Sequence, residues 1–185
     1  MLQRDTQATI YIIDFSFNPL INFITQAVET ALTPWLQGLN PDALLYDKTY
    51  GGVITTNGMA DLYADYGSGW YSDHHFHYGY FAYAAATLAK LDVPYWEANK
   101  VPMETIIRDF CNPDPTDPDF PFARHKDFFD GHSWASGLYP QANGKGQESS
   151  SEVRYTLHTL YTLYNYALFL IYVVDDIQAH IVTFL

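Results

Sequence analysis

The sequence predicts an all-α fold in which long loops gather at one end of the helices. Three observations support this prediction: several segments carry apolar residues at helical spacing, long stretches rich in Gly, Pro, Asn and Asp separate them, and only one short run is typical of a strand. Of the 185 residues, 48% are hydrophobic and 16% are charged, which excludes general disorder and fits one globular unit.

The first helix is predicted at residues 20–32, where apolar side chains recur at helical spacing. Pro34 follows as a stop signal. Residues 38–65 are rich in turn-forming residues and predict loops, with one short strand in the β-branched run at residues 53–56.

Two further helices are predicted in the middle of the chain. One covers residues 80–91 and ends before Pro94. The next opens at Pro102, because proline is favoured at the first helical position, and runs through residue 110. The proline-rich stretch at residues 112–121 predicts a loop.

The remaining elements are a second long loop and a last helix. Residues 126–147 again have the composition of a loop. Ser149 and Glu152 form a Ser-x-x-Glu capping box, which predicts the start of a long final helix.

The charge and cysteine content exclude several classes of partner. A formal net charge of -12 repels phosphate, so neither nucleic acid nor a membrane surface is an expected partner, whereas a neutral polysaccharide is indifferent to that field. Cys111 is the only cysteine, so no intramolecular disulfide is expected. Residues 1–15 do not resemble a signal peptide.

The first chemical motif is Tyr-Ser-Asp-His-His-Phe-His-Tyr-Gly-Tyr at residues 71–80, just before the predicted second helix. It concentrates one acid, three imidazoles and four aromatic rings in ten residues. Such clusters occur where acid-base chemistry is performed. A metal site built from Asp73, His75 and His77 is the alternative interpretation, because alternate histidines can ligate zinc or manganese.

The second motif is Arg-His-Lys-Asp-Phe-Phe-Asp-Gly-His-Ser-Trp-Ala-Ser-Gly at residues 124–137. Trp134 with His132 and Asp130 is typical of a sugar subsite, where a flat ring stacks and polar groups bind hydroxyls. Asp127 fits a turn-forming role next to Gly131 equally well.

The third motif is Gln-Glu-Ser-Ser-Ser-Glu at residues 147–152. Glu148 and Glu152 stand four residues apart at a helix start, so their carboxylates can face one site. Glycoside hydrolysis requires two carboxyl groups flanking the scissile bond, and Asp73 with Glu148 could supply them. Glu152 could serve the capping box, the site, or both.

In this order the three motifs closely resemble glycoside hydrolase family 81, the endo-β-1,3-glucanases, over residues 31–152. The resemblance implies an inverting endo-hydrolase acting on laminarin, curdlan or cell-wall glucan, with no cofactor and no metal. It implies that the chain is a fragment of an (α/α)6 toroid, a ring of six helical hairpins, with long loops forming a cleft at one end. It also implies an extracellular or cell-wall location.

The resemblance further assigns roles to individual residues. Asp73 falls on the proton-donor position, Glu148 on the base that activates water, and Glu152 on a supporting acid. The glucan-binding residues that it implies are Tyr71, His77, Asp130, His132 and Trp134.

The chain also departs from the family pattern. We expect residues 1–185 to form a single partial catalytic domain, with a divergent C-terminal helix at residues 153–185. Residues 155–174 carry no charge, a length that could span a bilayer, but the polar and tyrosine content favours a buried helix. A catalytically inactive glucan-binding fragment is therefore the main alternative to an active hydrolase.

Overall fold

The computed structural model describes residues 18–149 and 152. Helices dominate this part of the chain, joined by long loops and two small antiparallel hairpins. The α-helices are α1 Asn18–Leu36, α2 Thr56–Ala60, α3 Ala64–Gly67, α4 His74–Leu91 and α5 Val93–Cys111, with a 3-10 turn at Ser68–Trp70. The strands are β1 Leu44–Asp47, β2 Gly52–Thr55, β3 Lys126–Asp127 and β4 His132–Ser133.

The core lies where α1, α4 and α5 pack together. Small residues on α4, including Ala85 and Ala86, allow close approach of the neighbouring helices. Leu88 of α4 is completely buried in this cluster, together with Trp96 and Met103 of α5. Burying these apolar side chains contributes roughly 1.5–3 kcal/mol for each large one.

The β1–β2 hairpin covers one end of this helical layer. It pairs Leu44 with Thr55 and Asp47 with Gly52. Its buried Val53 packs with Tyr78 of α4 and Ile106 of α5 in a second apolar cluster. The sequence predicted only one of these strands, because residues 44–47 read as part of a loop until a partner strand is present.

Helix α1 is confirmed but is longer than predicted. It continues past Pro34 to Leu36. Pro34 lies in the last turn, where a missing N–H removes a single hydrogen bond, and its carbonyl accepts from Leu39 and Asn40 N–H groups at 2.8 and 3.0 Å.

Helix α4 begins earlier than predicted, at His74 rather than residue 80. The histidine-rich motif therefore lies inside the helix. Aromatic and imidazole side chains are weak helix formers, but burial of His74, Phe76 and Tyr78 overrides that preference.

Helix α5 begins at Val93, so the prediction that Pro102 opens it was wrong. Asp92 caps the helix, accepting a hydrogen bond from Tyr95 N–H at 2.9 Å, and Pro94 occupies the first turn. Pro102 removes one internal hydrogen bond, but the buried side chains on either side, Trp96 and Met103, keep the helix continuous.

The loop predictions at residues 112–121 and 126–147 are confirmed apart from the short strands β3 and β4. The predicted final helix beyond Glu152 and the uncharged stretch at 155–174 lie outside the described residues. Within residues 18–149, no helix is both long and apolar enough to cross a bilayer.

Candidate active site

Asp73 sits at the N-terminal end of α4 in an unusual backbone conformation. Its φ of 60° is left-handed, and its side chain makes no capping hydrogen bond to the helix. The backbone carbonyl of Asp73 instead accepts from the N–H groups of Phe76 and His77, each at 2.9 Å. Aspartate tolerates this conformation better than most residues, and the carboxyl group is left uncommitted to helix capping.

Backbone hydrogen bonds bring the first two motifs side by side and join the second to the segment just before the third. Asp73 N–H donates to the Ala135 carbonyl at 2.9 Å, and Gly137 N–H donates to the Tyr71 carbonyl at 3.0 Å. Ala135 N–H in turn donates to the Lys145 carbonyl at 2.8 Å. Gly137 permits this approach, because a Cβ there would collide with the side chains of Arg124 and Tyr71.

The three predicted carboxyl groups influence one another electrostatically. Burial raises the pKa of Asp73, the nearby His77 opposes that rise, and the carboxylates of Glu148 and Glu152 add to it. Hydrogen bonds from Ser149 and then Tyr80 lower the pKa of Glu152. The site thus holds one acid whose pKa is raised and one whose pKa is lowered.

Side chains of α4 hold the segment that carries Glu148. His75 Nε2 lies 3.0 Å from Gln147 Oε1, and Tyr80 Oη donates to Glu152 Oε1 at 2.7 Å. Ser149 Oγ accepts from Glu152 N–H at 3.3 Å, which confirms the predicted capping contact.

His75, which contacts Gln147, forms a buried pair of imidazoles with His125. The rings of His75 and His125 are 4.3 Å apart, and both side chains are buried. Burial lowers the pKa of His75 to about 4 and lowers that of His125 well below its usual value. Both rings are therefore neutral near pH 7, which allows them to lie in contact at an angle of 47° without charge repulsion.

A buried ionic network supports the start of α4. His74 Nδ1 lies 2.6 Å from Asp109 Oδ2, and Arg124 Nη2 lies 3.7 Å from Asp109 Oδ1. Asp109 Oδ1 also accepts from Val53 N–H at 2.7 Å. Sequence reasoning missed Asp109; the available signal was an acidic residue beside the buried Ile106 and Phe110 on the apolar face of a helix.

Tyr71 belongs to this network and not to an exposed binding surface. Its side chain has 0% exposure, its hydroxyl donates to Asp47 Oδ2 at 3.0 Å, and Arg124 lies over its ring at 4.1 Å. This burial contradicts the prediction that Tyr71 contacts a glucan directly. Tyr71 instead supports the loop that carries Asp73.

The β3–β4 hairpin carries the second motif. Asp127 has the predicted turn-forming role, because its Oδ1 accepts from the N–H groups of Phe129 and Asp130 at 2.9 Å. Its Oδ2 accepts from Trp134 Nε1 at 3.1 Å, and Trp134 also packs edge-on against His132 with ring centroids 4.7 Å apart. Asp130 is exposed at the turn.

The metal interpretation concerns Asp73, His75 and His77 at the start of α4. Within residues 18–149 and 152, no three His, Cys, Asp or Glu side chains are arranged to hold a metal ion. His75, one of the three suggested ligands, contacts Gln147 and His125.

Comparison with protein families identifies the chain. The Glycosyl hydrolase family 81 C-terminal domain matches residues 7–169. The chain belongs to glycoside hydrolase family 81.

Relatives of this family 81 chain come from fungi, plants and bacteria. It is 41% identical over 131 residues to the primary septum glucan endo-1,3-beta-D-glucosidase of Schizosaccharomyces pombe, covering 69% of the chain and 13% of that protein. It is 46% identical over 111 residues to a glucan endo-1,3-beta-D-glucosidase of Arthroderma benhamiae, covering 59% of the chain and 12% of that protein. The chain thus spans a small part of these relatives.

A solved structure of glycoside hydrolase family 81 from Clostridium thermocellum is similar to the family 81 chain. The TM-score is 0.53 with 37% sequence identity, and the match covers 65% of the chain and 16% of that structure. The similarity supports the family assignment made from the motifs.

Proposed function

We propose that this family 81 chain carries the catalytic carboxyl groups of an endo-hydrolase of β-1,3-glucosidic bonds. Asp73 is the general acid that protonates the departing oxygen. Glu148 is the base that activates water on the opposite side of the sugar, and the product is released with inverted configuration. Glu152 supports the pair.

The single observation that carries this proposal is the clustering of the three acids, in which Glu148 and Glu152 both act on the pKa of Asp73. A general acid must retain its proton near the working pH, and burial together with Glu148 and Glu152 raises the pKa of Asp73. Glu152 is stabilised as a carboxylate by Ser149 and Tyr80. Pairs of acids whose environments move their pKa values apart are a recurring feature of acid-base catalysis.

The substrate in this proposal is a neutral β-1,3-glucan such as laminarin, curdlan or cell-wall glucan. His77, Asp130, His132 and Trp134 bind the chain of sugars, with Trp134 offering a ring face. No cofactor takes part. The names of the relatives support a β-1,3-glucan as the substrate.

The proposal also includes the architecture and the location. Residues 1–185 form a partial catalytic domain, and their helices are part of an (α/α)6 toroid whose loops line a cleft. The similarity to a family 81 structure supports this arrangement. Because β-1,3-glucan is a cell-wall polymer, the protein acts outside the cell or in the wall.

The test is cleavage of laminarin by Asp73→Asn and Glu148→Gln variants, measured as reducing ends. Each substitution should lower kcat by about 10²- to 10⁴-fold, because each removes one proton-transfer group. Glu97→Gln, an exposed acid on α5, is the matched control and should retain activity. Cleavage by Asp73→Asn at the wild-type rate would overturn the assignment.

A glucan-binding fragment without catalysis is the second candidate. It is favoured by the coverage, because the chain spans only 13% of the Schizosaccharomyces pombe relative. Laminarin pull-down alongside the reducing-end assay separates the candidates: retention without cleavage identifies the binding fragment. Trp134→Ala should weaken retention in both cases.

A further inference from the structure

Tyr66 combines high exposure with a strained backbone. Its side chain is 82% exposed, and its φ of 60° is left-handed, as is the φ of 51° at Asp65. This conformation costs roughly 1–2 kcal/mol for each residue other than glycine. Such strain persists only where the surrounding structure imposes it, and it is concentrated at ligand-binding and catalytic sites.

Hydrogen bonds on either side of Tyr66 hold the left-handed segment formed by Asp65 and Tyr66. Asp65 Oδ2 accepts from Thr55 Oγ1 of strand β2 at 2.6 Å. The carbonyl of Gly67 accepts from Ser72 N–H at 3.1 Å, one residue before Asp73. The backbone of Tyr66 is thereby fixed between the β1–β2 hairpin and the loop that carries Asp73.

The ring of Tyr66 lies next to the carboxyl site. It packs edge-on against His77, with ring centroids 5.4 Å apart. His77 is one helical turn beyond Asp73 and is close enough for their charges to interact. A single imidazole therefore contacts the ring of Tyr66 and interacts electrostatically with the proposed general acid.

The charged side chains near the Tyr66 ring favour one class of ligand over others. Asp65, Asp73 and Glu152 all act electrostatically on His77, so an anionic ligand is repelled here. The buried centre of a protein–protein interface is depleted of charged residues, which disfavours a protein partner. A neutral sugar presents C–H groups to an aromatic face and hydroxyls to carboxylates, and it satisfies both kinds of neighbour.

We propose that Tyr66 is a stacking platform for one glucosyl unit of the glucan, next to the unit that Asp73 contacts. This inference rests on the proposed function and deepens it. It adds a binding residue outside the three sequence motifs, and His77 is the side chain that connects the platform to the carboxyl site.

The test is calorimetric titration of the 185-residue chain with laminarihexaose. Tyr66→Ala and Tyr66→Asn should each weaken binding about tenfold, which corresponds to about 1.4 kcal/mol, whereas Tyr66→Phe should stay within about twofold of the wild type. Asn adopts left-handed backbone readily, so Tyr66→Asn decides the question if Tyr66→Ala fails to fold. Phe23→Ala, a 69% exposed ring on α1, is the control and should bind normally.

The outcomes separate this inference from the proposed function. Normal hexaose binding by Tyr66→Asn, with loss of binding by Trp134→Ala, overturns the platform and leaves the proposed function intact. Absence of binding by the wild-type chain overturns both. A change in oligomeric state of Tyr66→Asn with unchanged hexaose binding, measured by sedimentation, assigns the ring to a contact between copies and also overturns the platform.

Discussion

Asp73 shows how the fold gives up stability at the carboxyl site. An aspartate at the start of a helix ordinarily caps it, a contact whose loss costs about 1 kcal/mol, yet this side chain makes no capping bond. Its backbone is left-handed and its carboxyl group is partly buried beside two other acids. Each feature is unfavourable for folding, and the raised pKa is the property that the proposed general acid requires.

Asp73→Asn should therefore raise the stability of the chain near neutral pH while lowering kcat as proposed above. Because the folded-state pKa of Asp73 is raised, its ionisation destabilises the folded state; this penalty is absent below the ordinary aspartate pKa and complete above the raised one. In thermal unfolding, the Tm of Asp73→Asn should exceed that of the wild type at pH 7, and the two Tm values should converge at pH 3. An equal or lower Tm for Asn at pH 7 would contradict the predicted penalty.

Tyr80 acts on the proposed reaction through Glu152. Tyr80→Phe removes a hydrogen bond that, after Ser149, lowers the pKa of Glu152, so that pKa should rise. The acid limb of the pH–kcat profile should move to higher pH, and kcat should fall about fivefold, as expected for loss of about 1 kcal/mol. Tyr83→Phe, on the same helix, is the control. An unshifted acid limb would show that Glu152 ionisation is not required.

Helix α4 is the element that organises the site. Its first turns present Asp73 and His77 to one another, bury His74 against Asp109 of α5, and bring His75 to Gln147. Because α4 is also packed between α1 and α5, these contacts rest on the most buried part of the fold. The site is therefore positioned by a rigid helix, although several of its groups lie on loops.

The contact between α4 and the loops should be sensitive to acid. His75 and His125 are buried and neutral, and in the unfolded chain both would take up protons below about pH 6.5. Stability should thus be complete above pH 6.5 and decline as the pH falls toward 4, by about 3 kcal/mol from His75. Urea unfolding at pH 7, 5.5 and 4.5 measures this decline.

The matched variants for that experiment keep the observed hydrogen bonds without an ionisable ring. His75→Gln places an amide near the position of Nε2, and His125→Asn places one near Nδ1, the atoms that contact Gln147 and Trp134. The double variant should show a shallower decline over the same pH range. An unchanged slope would mean that other groups cause the acid sensitivity.

The whole chain carries a formal net charge of -12. In the proposed function its ligand is an uncharged polymer. The acidic field therefore contributes to solubility and to exclusion of anionic polymers, and affinity must come from rings and hydrogen bonds. Short-range contacts of this kind are barely screened by salt.

Binding of laminarin should accordingly change less than about twofold between 50 and 500 mM NaCl, because no counterions are released. Affinity electrophoresis at the two salt concentrations measures this. A polyanion such as heparin, used as the control, should not bind in either condition. A steep loss of laminarin binding with salt would contradict a ligand recognised by neutral contacts.

Much of the fold could be predicted from local patterns. The apolar spacing of α1 and the proline-rich loop after α5 were both found correctly, because neighbours along the chain set them. The start of α5 was missed, because Pro102 is a typical first helical residue and only the burial of Met103 and Trp96 shows that the helix passes through it. Strand β1 was missed because its pairing partner determines it.

The sequence by itself determined the family and predicted which acids and rings take part in chemistry, because those are properties of residue types in fixed order. The tertiary structure decided their separate roles: His74 binds Asp109, His75 contacts Gln147, His77 faces Asp73, and Tyr71 is buried. Successive side chains on a helix point about 100° apart. Neighbouring residues of one motif therefore enter different surroundings, which only contacts with distant segments can define.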